Sequence, residues 1–160
     1  MPTRPATKSS NKASNADSVW TEEEKAAARA AAAERKAASR RSPGDERAQG
    51  LQDLKDSIAK MPTDDRAMAE RVHDVVMAAV PALSPKTYYG MPAYAREGKD
   101  GKVIAFFKVK SKFKVRYSTI GFQPDASLDD GDMWPTEFAV IKLTPAVETR
   151  IAELVKKAAG

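Results

Sequence analysis

The stretch KTYYGMPAYAREGKDGKVIAFFKV, residues 86–109, decides the fold that we predict for this chain. Short runs of β-branched and aromatic residues separated by Gly and Pro are typical of strands joined by turns. We expect strands at 86–89 and 93–96 on either side of a Gly-Met-Pro break, a hairpin turn at 98–101, and a third strand at 102–109. Strands at this spacing predict a mainly antiparallel sheet.

Two further strands, at 113–122 and 137–143, bring the predicted total to four or five. Helical patterns occur both before and after this run of strands. Segregation of helices and strands along a chain is typical of an α+β domain, in which helices pack on one antiparallel sheet. We therefore predict a domain of this class over residues 45–160.

Three helices are predicted for the domain. The first covers 45–60, the second begins with Thr63 as N-cap, and the last begins with Thr144 as N-cap followed by Pro145. The second helix carries the longest apolar stripe of the three, and for this reason we expect it to pack on the sheet. The stripe consists of Met68, Val72, Val75, Val76, Ala79 and Val80.

The N-terminal part of the chain differs from the domain in composition. Residues 1–18 offer almost no apolar side chain, so we predict a disordered tail. Residues 19–44 predict an Ala-rich helix, with Thr21 and Glu24 spaced as a capping box. Its inner face is all alanine, which suits either an exposed arm or a weakly docked one. Four basic residues on one side suit phosphate contact or, the interpretation that we favour, a solvated face: Lys25, Arg29, Lys36 and Arg40.

The composition excludes several kinds of site. The 160 residues include no Cys and a single His, so disulfides, thiolate metal sites and His clusters are ruled out. His73 lies at the edge of the apolar stripe, where we expect a packed or hydrogen-bonded residue rather than a catalyst. The sequence shows no phosphate loop, nucleophile elbow, signal peptide or run of ~20 apolar residues. These observations favour a cytoplasmic protein, with no membrane partner, that is not an enzyme.

One candidate site combines aromatic and Met side chains with irregular backbone. Tyr89, Met91 and Tyr94 flank the Gly-Met-Pro break, and Trp134 follows a long polar loop. Apolar and aromatic side chains beside irregular backbone commonly line ligand pockets. We predict that these four residues line a groove for a small molecule or a protein partner.

A second candidate is the basic segment FKVKSKFKVR, residues 107–116, with its turn at 110–112. Strict alternation would place its cations on one face of two strands. Such a face would suit phosphate and weak nucleic-acid binding, and the alternative is a lysine-rich face that keeps the sheet soluble. The predicted anion-binding residues are Lys108, Lys110, Lys112, Lys114 and Arg116.

A third candidate is the acidic loop DASLDDGD, residues 125–132. Its carboxylates Asp129, Asp130 and Asp132 suit a hard cation, although the Gly and Glu positions of an EF-hand loop are not matched. Asp and Gly are also ordinary residues of solvated turns. A loose cation site and a plain turn both remain open at this point.

Three motifs together resemble the YdhG-like domain-of-unknown-function family: GMPAY at 90–94, GKxxxFFKxxxKFKxRYSTIGF at 101–122, and LDDGDMWPTEFAVIKLT at 128–144. The likeness covers about residues 51–158, and the helix over 20–41 is similar to an extension found in a subgroup. The resemblance implies a compact α+β fold and no agreed catalytic residues.

Some members of that family are regarded as frataxin-like iron chaperones, so the resemblance also makes iron a possible ligand. The nearest carboxylates for it are the loop aspartates, or Asp64 and Asp65 at a helix start. Our leading hypothesis is a non-enzymatic module that binds a small ligand or a peptide. The alternatives are an iron-binding chaperone and a weak nucleic-acid binder.

Overall fold

The computed structural model describes residues 20–42, 45–98 and 101–160. Within these ranges the chain forms one five-stranded antiparallel sheet and five helices, which confirms the predicted α+β class. The helices are α1 Glu22–Ala38, α2 Glu46–Ala59, α3 Thr63–Ala79, α4 Lys110–Phe113 and α5 Pro145–Ala159. The strands are β1 Ser84–Tyr88, β2 Met91–Ala95, β3 Val103–Lys108, β4 Ser118–Phe122 and β5 Glu137–Val140.

The strands lie in the sheet in chain order, so β1 and β5 form its two edges. Each strand pairs with the next in the chain, as expected for successive hairpins. The fifth strand ends at Val140 rather than at residue 143. The predicted tail at 1–18 and the middle of the predicted turn, Lys99 and Asp100, lie outside the described residues.

The first hairpin is tighter than predicted. Tyr88 pairs directly with Met91, so only Tyr89 and Gly90 form the turn, and Met91 and Pro92 belong to β2 instead of the break. Both turn residues have positive φ, 51° for Tyr89 and 76° for Gly90. Two-residue hairpin turns of type I′ require this combination, because it matches the twist of the flanking strands. The Gly-Met-Pro break is therefore a Tyr-Gly turn.

The basic segment does not form two strands. Residues Lys110–Phe113 form the helical turn α4, and β4 begins only at Ser118, so the alternation predicted for the cations is wrong. Local hydrogen bonds replace the strand pairing: the Lys110 N–H donates to Ser118 Oγ at 3.1 Å, and the Val115 N–H donates to the Lys110 carbonyl at 3.1 Å. Lys114 ends the turn with φ 53°.

The helix starts agree with the prediction at one end of the domain and differ at the other. Thr144 Oγ1 accepts the Val147 N–H at 3.3 Å, with a proline at the first helical position, as predicted for α5. Thr63 is not the N-cap of α3, because Pro62 takes that place. The Arg66 N–H donates to the Pro62 carbonyl at 2.8 Å, so helical bonding starts one residue early.

The main core lies between one face of the sheet and the helices α2, α3 and α5. Its fully buried members include Leu54, Val72, Tyr94, Phe107 and Val155. As predicted, α3 packs on the sheet, where Val72 and Val76 share the main core with the strands, and it also contacts α5. Helix α2 lies closest to β1, and Gly50 permits this approach, since any side chain there would collide with the Pro85 carbonyl.

The opposite face of the sheet carries a smaller apolar cluster. Met91, Ala93 and Phe106 are its buried members, with Tyr88 and Phe113 packed beside them. The Phe106 ring lies over Gly121 of the neighbouring strand, at a position where a Cβ atom would collide with the ring. The pleat therefore divides the residues of the Tyr88–Tyr94 segment between two separate cores.

The Ala-rich arm is docked. Thr21 and Glu24 form the predicted capping box, and α1 then runs to Ala38, with Ala27 and Ala31 buried. Such small side chains bury little apolar area, and burial contributes only about 25 cal/mol per Å². The position of α1 therefore depends on polar contacts as well, and these surround the candidate site.

Candidate functional site

The candidate site is a groove of about 680 Å³ at the first hairpin turn. Helix α1 forms one wall and the C-terminal half of α2 the other, while Gly90 and the start of α4 close one end. Alanines dominate the α1 wall, and charged side chains line the α2 wall. Its lining residues include Ala33, Glu34, Arg41, Asp53, Gly90 and Lys112.

At the closed end, the backbone of the turn holds a carboxylate. The Tyr89 N–H donates to Glu34 Oε2 at 3.1 Å, and the Gly90 N–H donates to Glu34 Oε1 at 2.8 Å. Successive amides in positive-φ or turn conformations point to the same side and form a concave site for anions. The turn thus presents two parallel donors, one for each oxygen of a carboxylate.

Lys112 lies on the other side of the same turn. Its Nζ donates to the Tyr89 carbonyl at 3.2 Å, and any side chain at Gly90 would collide with this ammonium group. Burial lowers the pKa of Lys112, and the charge of the Glu34 carboxylate partly opposes that effect. None of the ion pairs among the described residues includes Lys112. The ammonium group of this partly buried side chain therefore lies on the carbonyl side of the turn, with the Tyr89 carbonyl as its hydrogen-bond partner.

The open end of the groove is polar on one side. Arg41 and Asp53 form an ion pair with 2.5 Å between Nη2 and Oδ2, which connects the segment that follows α1 to α2. Gln49 Nε2 also donates to Asp53, and Gln52 Nε2 donates to Asp56. Small apolar and charged groups together allow the groove to accept an amphipathic ligand with an anionic end at the turn.

The four predicted ligand-binding residues are not brought together. Tyr89 lies half-exposed in the turn, whereas Met91 is buried in the smaller apolar cluster. Tyr94 is fully buried in the main core, on the other face of the sheet. Trp134 precedes the opposite edge strand, β5. Of these four positions, only Tyr89 belongs to the turn that closes the groove.

Tyr94 has a structural partner in His73. Its hydroxyl lies 3.2 Å from His73 Nδ1, and the two rings stack with 5.9 Å between centroids. Burial raises the pKa of Tyr94 and lowers the pKa of His73. The prediction that His73 is a packed, hydrogen-bonded residue is confirmed, and the pair fastens α3 to β2.

Most of the predicted anion-binding residues have partners on the protein. Lys108 and Lys112 lie over the Phe113 ring, with 4.5 and 5.7 Å between Nζ and the ring centroid. Lys114 pairs with Glu23 of α1, and Arg116 lies over Tyr117. Lys110 is exposed on α4. Their role in binding nucleic acid stays a prediction. The single basic face on which that prediction was based is not present among these residues.

The predicted metal ligands Asp129, Asp130 and Asp132 are exposed in the loop before β5. Two of them line a second cleft of about 560 Å³, which also includes Trp134. In the part of the chain that the structure describes, no three His, Cys, Asp or Glu side chains are grouped so as to hold a metal ion. Asp64 is exposed and Asp65 is buried at the start of α3. Iron binding stays a prediction.

Sequence reasoning missed Glu34, the residue that contacts the turn. The sequence around Glu34 does not indicate a contact with the turn, because a single Glu in an Ala-rich helix is just as typical of a face exposed to solvent. The turn does give one, since a Gly at the second central position of a tight hairpin favours two successive positive φ values and hence paired amides. Lys112 was included among the candidates, but for a strand face that does not exist.

No protein-family model matches the chain, and searches of curated proteins and of solved structures gave no match. The resemblance to the YdhG-like family therefore stays a prediction. Within the described ranges, no helix is both long enough and apolar enough to cross a membrane.

Proposed function

We propose that this protein is a non-enzymatic binding module for a small ligand or a short peptide, and that the ligand lies in the groove between α1 and α2. One observation carries the proposal: a groove of about 680 Å³ ends at a turn whose paired amides already hold a carboxylate. The function expected from the sequence is thus retained, while its site moves from the aromatic residues to the turn itself.

The size and chemistry of the groove support this proposal. Ligand pockets commonly have volumes of ~300–1,000 Å³ and combine apolar walls with a few fixed polar groups. The groove at about 680 Å³ lies in that range, with alanine on one wall and amides and an ammonium group at its end. The hydrogen-bond donors of the turn are already ordered before a ligand binds, so binding does not have to pay the entropic cost of ordering them.

A substitution that fills the groove tests the proposal. Ala33 lines the groove and Ala32 does not, although both are exposed on α1. We would screen metabolites, nucleotides and short peptides by thermal shift on the unmodified chain, on Ala33→Trp and on the matched control Ala32→Trp. The expected result is at least one compound that raises the Tm of the unmodified chain and of Ala32→Trp, but not that of Ala33→Trp.

Two results would contradict the proposal. One is that no compound in the three classes stabilises the unmodified chain. The other is that Ala33→Trp responds as strongly as Ala32→Trp, which would place the ligand elsewhere. The Tm of each variant without ligand shows whether the new Trp side chain has disturbed the fold.

A further inference from the structure

The contact between Glu34 and the first hairpin turn has the geometry of a ligand contact. One oxygen of the carboxylate accepts from Tyr89 and the other from Gly90, at 3.1 and 2.8 Å. Bidentate binding of this kind uses both oxygens of a carboxylate and fixes its orientation. The group that occupies the turn comes from α1, where Ala27 and Ala31 are the buried residues.

Lys112 supplies an independent reason to expect an anion here. Taking an ammonium group out of water is costly unless an opposite charge or full hydrogen bonding compensates for it. The Lys112 side chain is partly buried and its Nζ bonds to the Tyr89 carbonyl, but it forms no ion pair with Glu34. The Glu34 carboxylate is attached to α1, so its distance from this ammonium group is fixed by the position of the helix. The carboxylate of a separate ligand is not attached to α1 and can move closer to Lys112.

The backbone of the turn is held in an unusual state. Tyr89 has φ 51°, a conformation in which non-glycine residues are uncommon. The type I′ turn requires this conformation, and in it both amides reach the same carboxylate. The side chain of Tyr89 is directed partly to solvent and packs edge-on against Tyr88, with 4.7 Å between ring centroids. Nothing in that contact requires the adjacent amides to bind a carboxylate.

We propose that the amides of Tyr89 and Gly90, together with Lys112, form a binding site for the carboxylate of an external ligand, and that Glu34 occupies this site as a built-in competitor. This inference rests on the proposed function, because the ligand would reach the turn through the groove. The carboxylate can come from a small organic acid or from the C-terminus of a peptide, since both present the same group.

A carboxylate suits the site better than a phosphate does. The two amides each serve one oxygen, and the structure already shows a carboxylate on them. A phosphate carries about two charges and additional oxygens at neutral pH, and its sites usually provide several cations or an Arg fork. Here the cation that is hydrogen-bonded to the turn is Lys112, a single ammonium group, and no Arg fork in the described part of the chain contacts the two amides.

The test uses the full chain labelled with ¹⁵N, and the amide resonances of Tyr89 and Gly90 report directly on the site. The variants are Glu34→Ala and Lys112→Met, with Glu22→Ala as the matched control, because Glu22 also lies on α1 but pairs with Lys25 of the same helix. The probes are sodium butyrate, acetylated tri-alanine with a free or an amidated C-terminus, and inorganic phosphate, all at constant ionic strength.

We expect butyrate and the free-acid peptide to shift both resonances in a saturable way. The dissociation constant should be about tenfold lower for Glu34→Ala than for the unmodified chain, because a competitor that fills a site ~90% of the time weakens apparent affinity tenfold. Glu22→Ala should bind like the unmodified chain, and Lys112→Met should lose most of the response. If butyrate binds more tightly than the peptide, the ligand is a small organic acid; if the free-acid peptide binds more tightly, the ligand is the C-terminus of a peptide.

Three results would overturn the inference: equal affinities for Glu34→Ala and Glu22→Ala, equal binding of the free and the amidated peptide, or tighter binding of phosphate than of butyrate. These failures differ from failure of the proposed function. A compound that stabilises the chain through the groove while the Tyr89 and Gly90 resonances stay unchanged would refute the carboxylate site and support the groove. Unchanged resonances elsewhere show that each variant is folded.

Discussion

Two regions of this molecule hold helices in opposite ways. Where α2, α3 and α5 cover the sheet, large apolar side chains such as Phe107 and Val155 are fully buried. Where α1 docks, the buried side chains are alanines, and the contacts that fix the helix are polar: Glu34 on the turn, Glu23 on Lys114 and Arg41 on Asp53. The first region depends on packing and the second on charge.

This difference determines what each region can do. In a close-packed core, a substitution that changes the volume or charge of a side chain lowers the free energy of unfolding of the whole domain. We expect a helix held by alanines and a few ion pairs to detach at a lower free-energy cost than unfolding of the whole domain. The groove lies at this second boundary, where a ligand can replace protein contacts without disrupting the core.

The largest effect is expected for a charge placed in the core. Ala69 of α3 is 1% exposed and belongs to the main core. An unpaired charge in such a place destabilises a protein by about 3–5 kcal/mol. We expect Ala69→Asp to lose this much free energy of unfolding, measured by urea denaturation. A loss below ~1 kcal/mol would mean that the region is less closely packed than the buried areas indicate.

The second effect concerns the His73–Tyr94 pair and depends on pH. Because burial lowers the pKa of His73 in the folded state, the folded protein binds fewer protons than the unfolded one between the two pKa values. Stability from the neutral imidazole is fully present above the unfolded pKa of ~6.5 and is lost as the pH falls below it. Asp74 opposes the shift and Lys55 adds to it.

Urea denaturation at pH 7.5, 6.5 and 5.5 measures this prediction, and the free energy of unfolding should fall with pH. His73→Gln retains a polar partner for the Tyr94 hydroxyl but does not titrate, so its slope over this range should be smaller. Glu23 and Glu148, whose pKa values are lowered by their ion pairs, contribute at more acidic pH. An unchanged slope in His73→Gln would show that His73 does not cause the pH dependence.

The fold could largely be predicted from the sequence, because strand periodicity and caps are local signals. The antiparallel order, the α1 capping box and the Thr144 N-cap depend on neighbouring residues, and all three were found. The prediction failed where tertiary contacts or local hydrogen bonds decide. Gly50 allows α2 to approach β1 closely, which no local pattern reveals, and the Ser118 hydroxyl helps to fix the helical turn that replaced a predicted strand.

The candidate site could be predicted only in part. The turn at Tyr89 and Gly90 lies inside the segment that the sequence marked, but its useful groups are backbone amides, which no side-chain pattern reveals. Glu34 precedes this turn by more than fifty residues, and only the docked helix brings it there. Trp134 and Tyr94 were grouped with Tyr89 by residue type, whereas the strand order and the pleat place them in separate regions.

The smallest effect is expected where α1 docks. Ala31 is 5% exposed, nearly as buried as Ala69, so Ala31→Asp places the same charge in a similarly buried position. Here the protein has another response, because α1 can detach and expose the new carboxylate to water. The loss is therefore limited to the docking free energy of α1, and global stability should change by less than ~1 kcal/mol.

Hydrogen exchange measures the local part of this prediction. In Ala31→Asp the amides of Tyr89 and Gly90 should exchange faster than in the control Ala32→Asp, whose new side chain projects from the exposed side of α1. The urea midpoints of the two variants should nearly coincide. If Ala31→Asp were as destabilising as Ala69→Asp, α1 would be an integral part of the core, and the groove would lie within the cooperative fold rather than at its boundary.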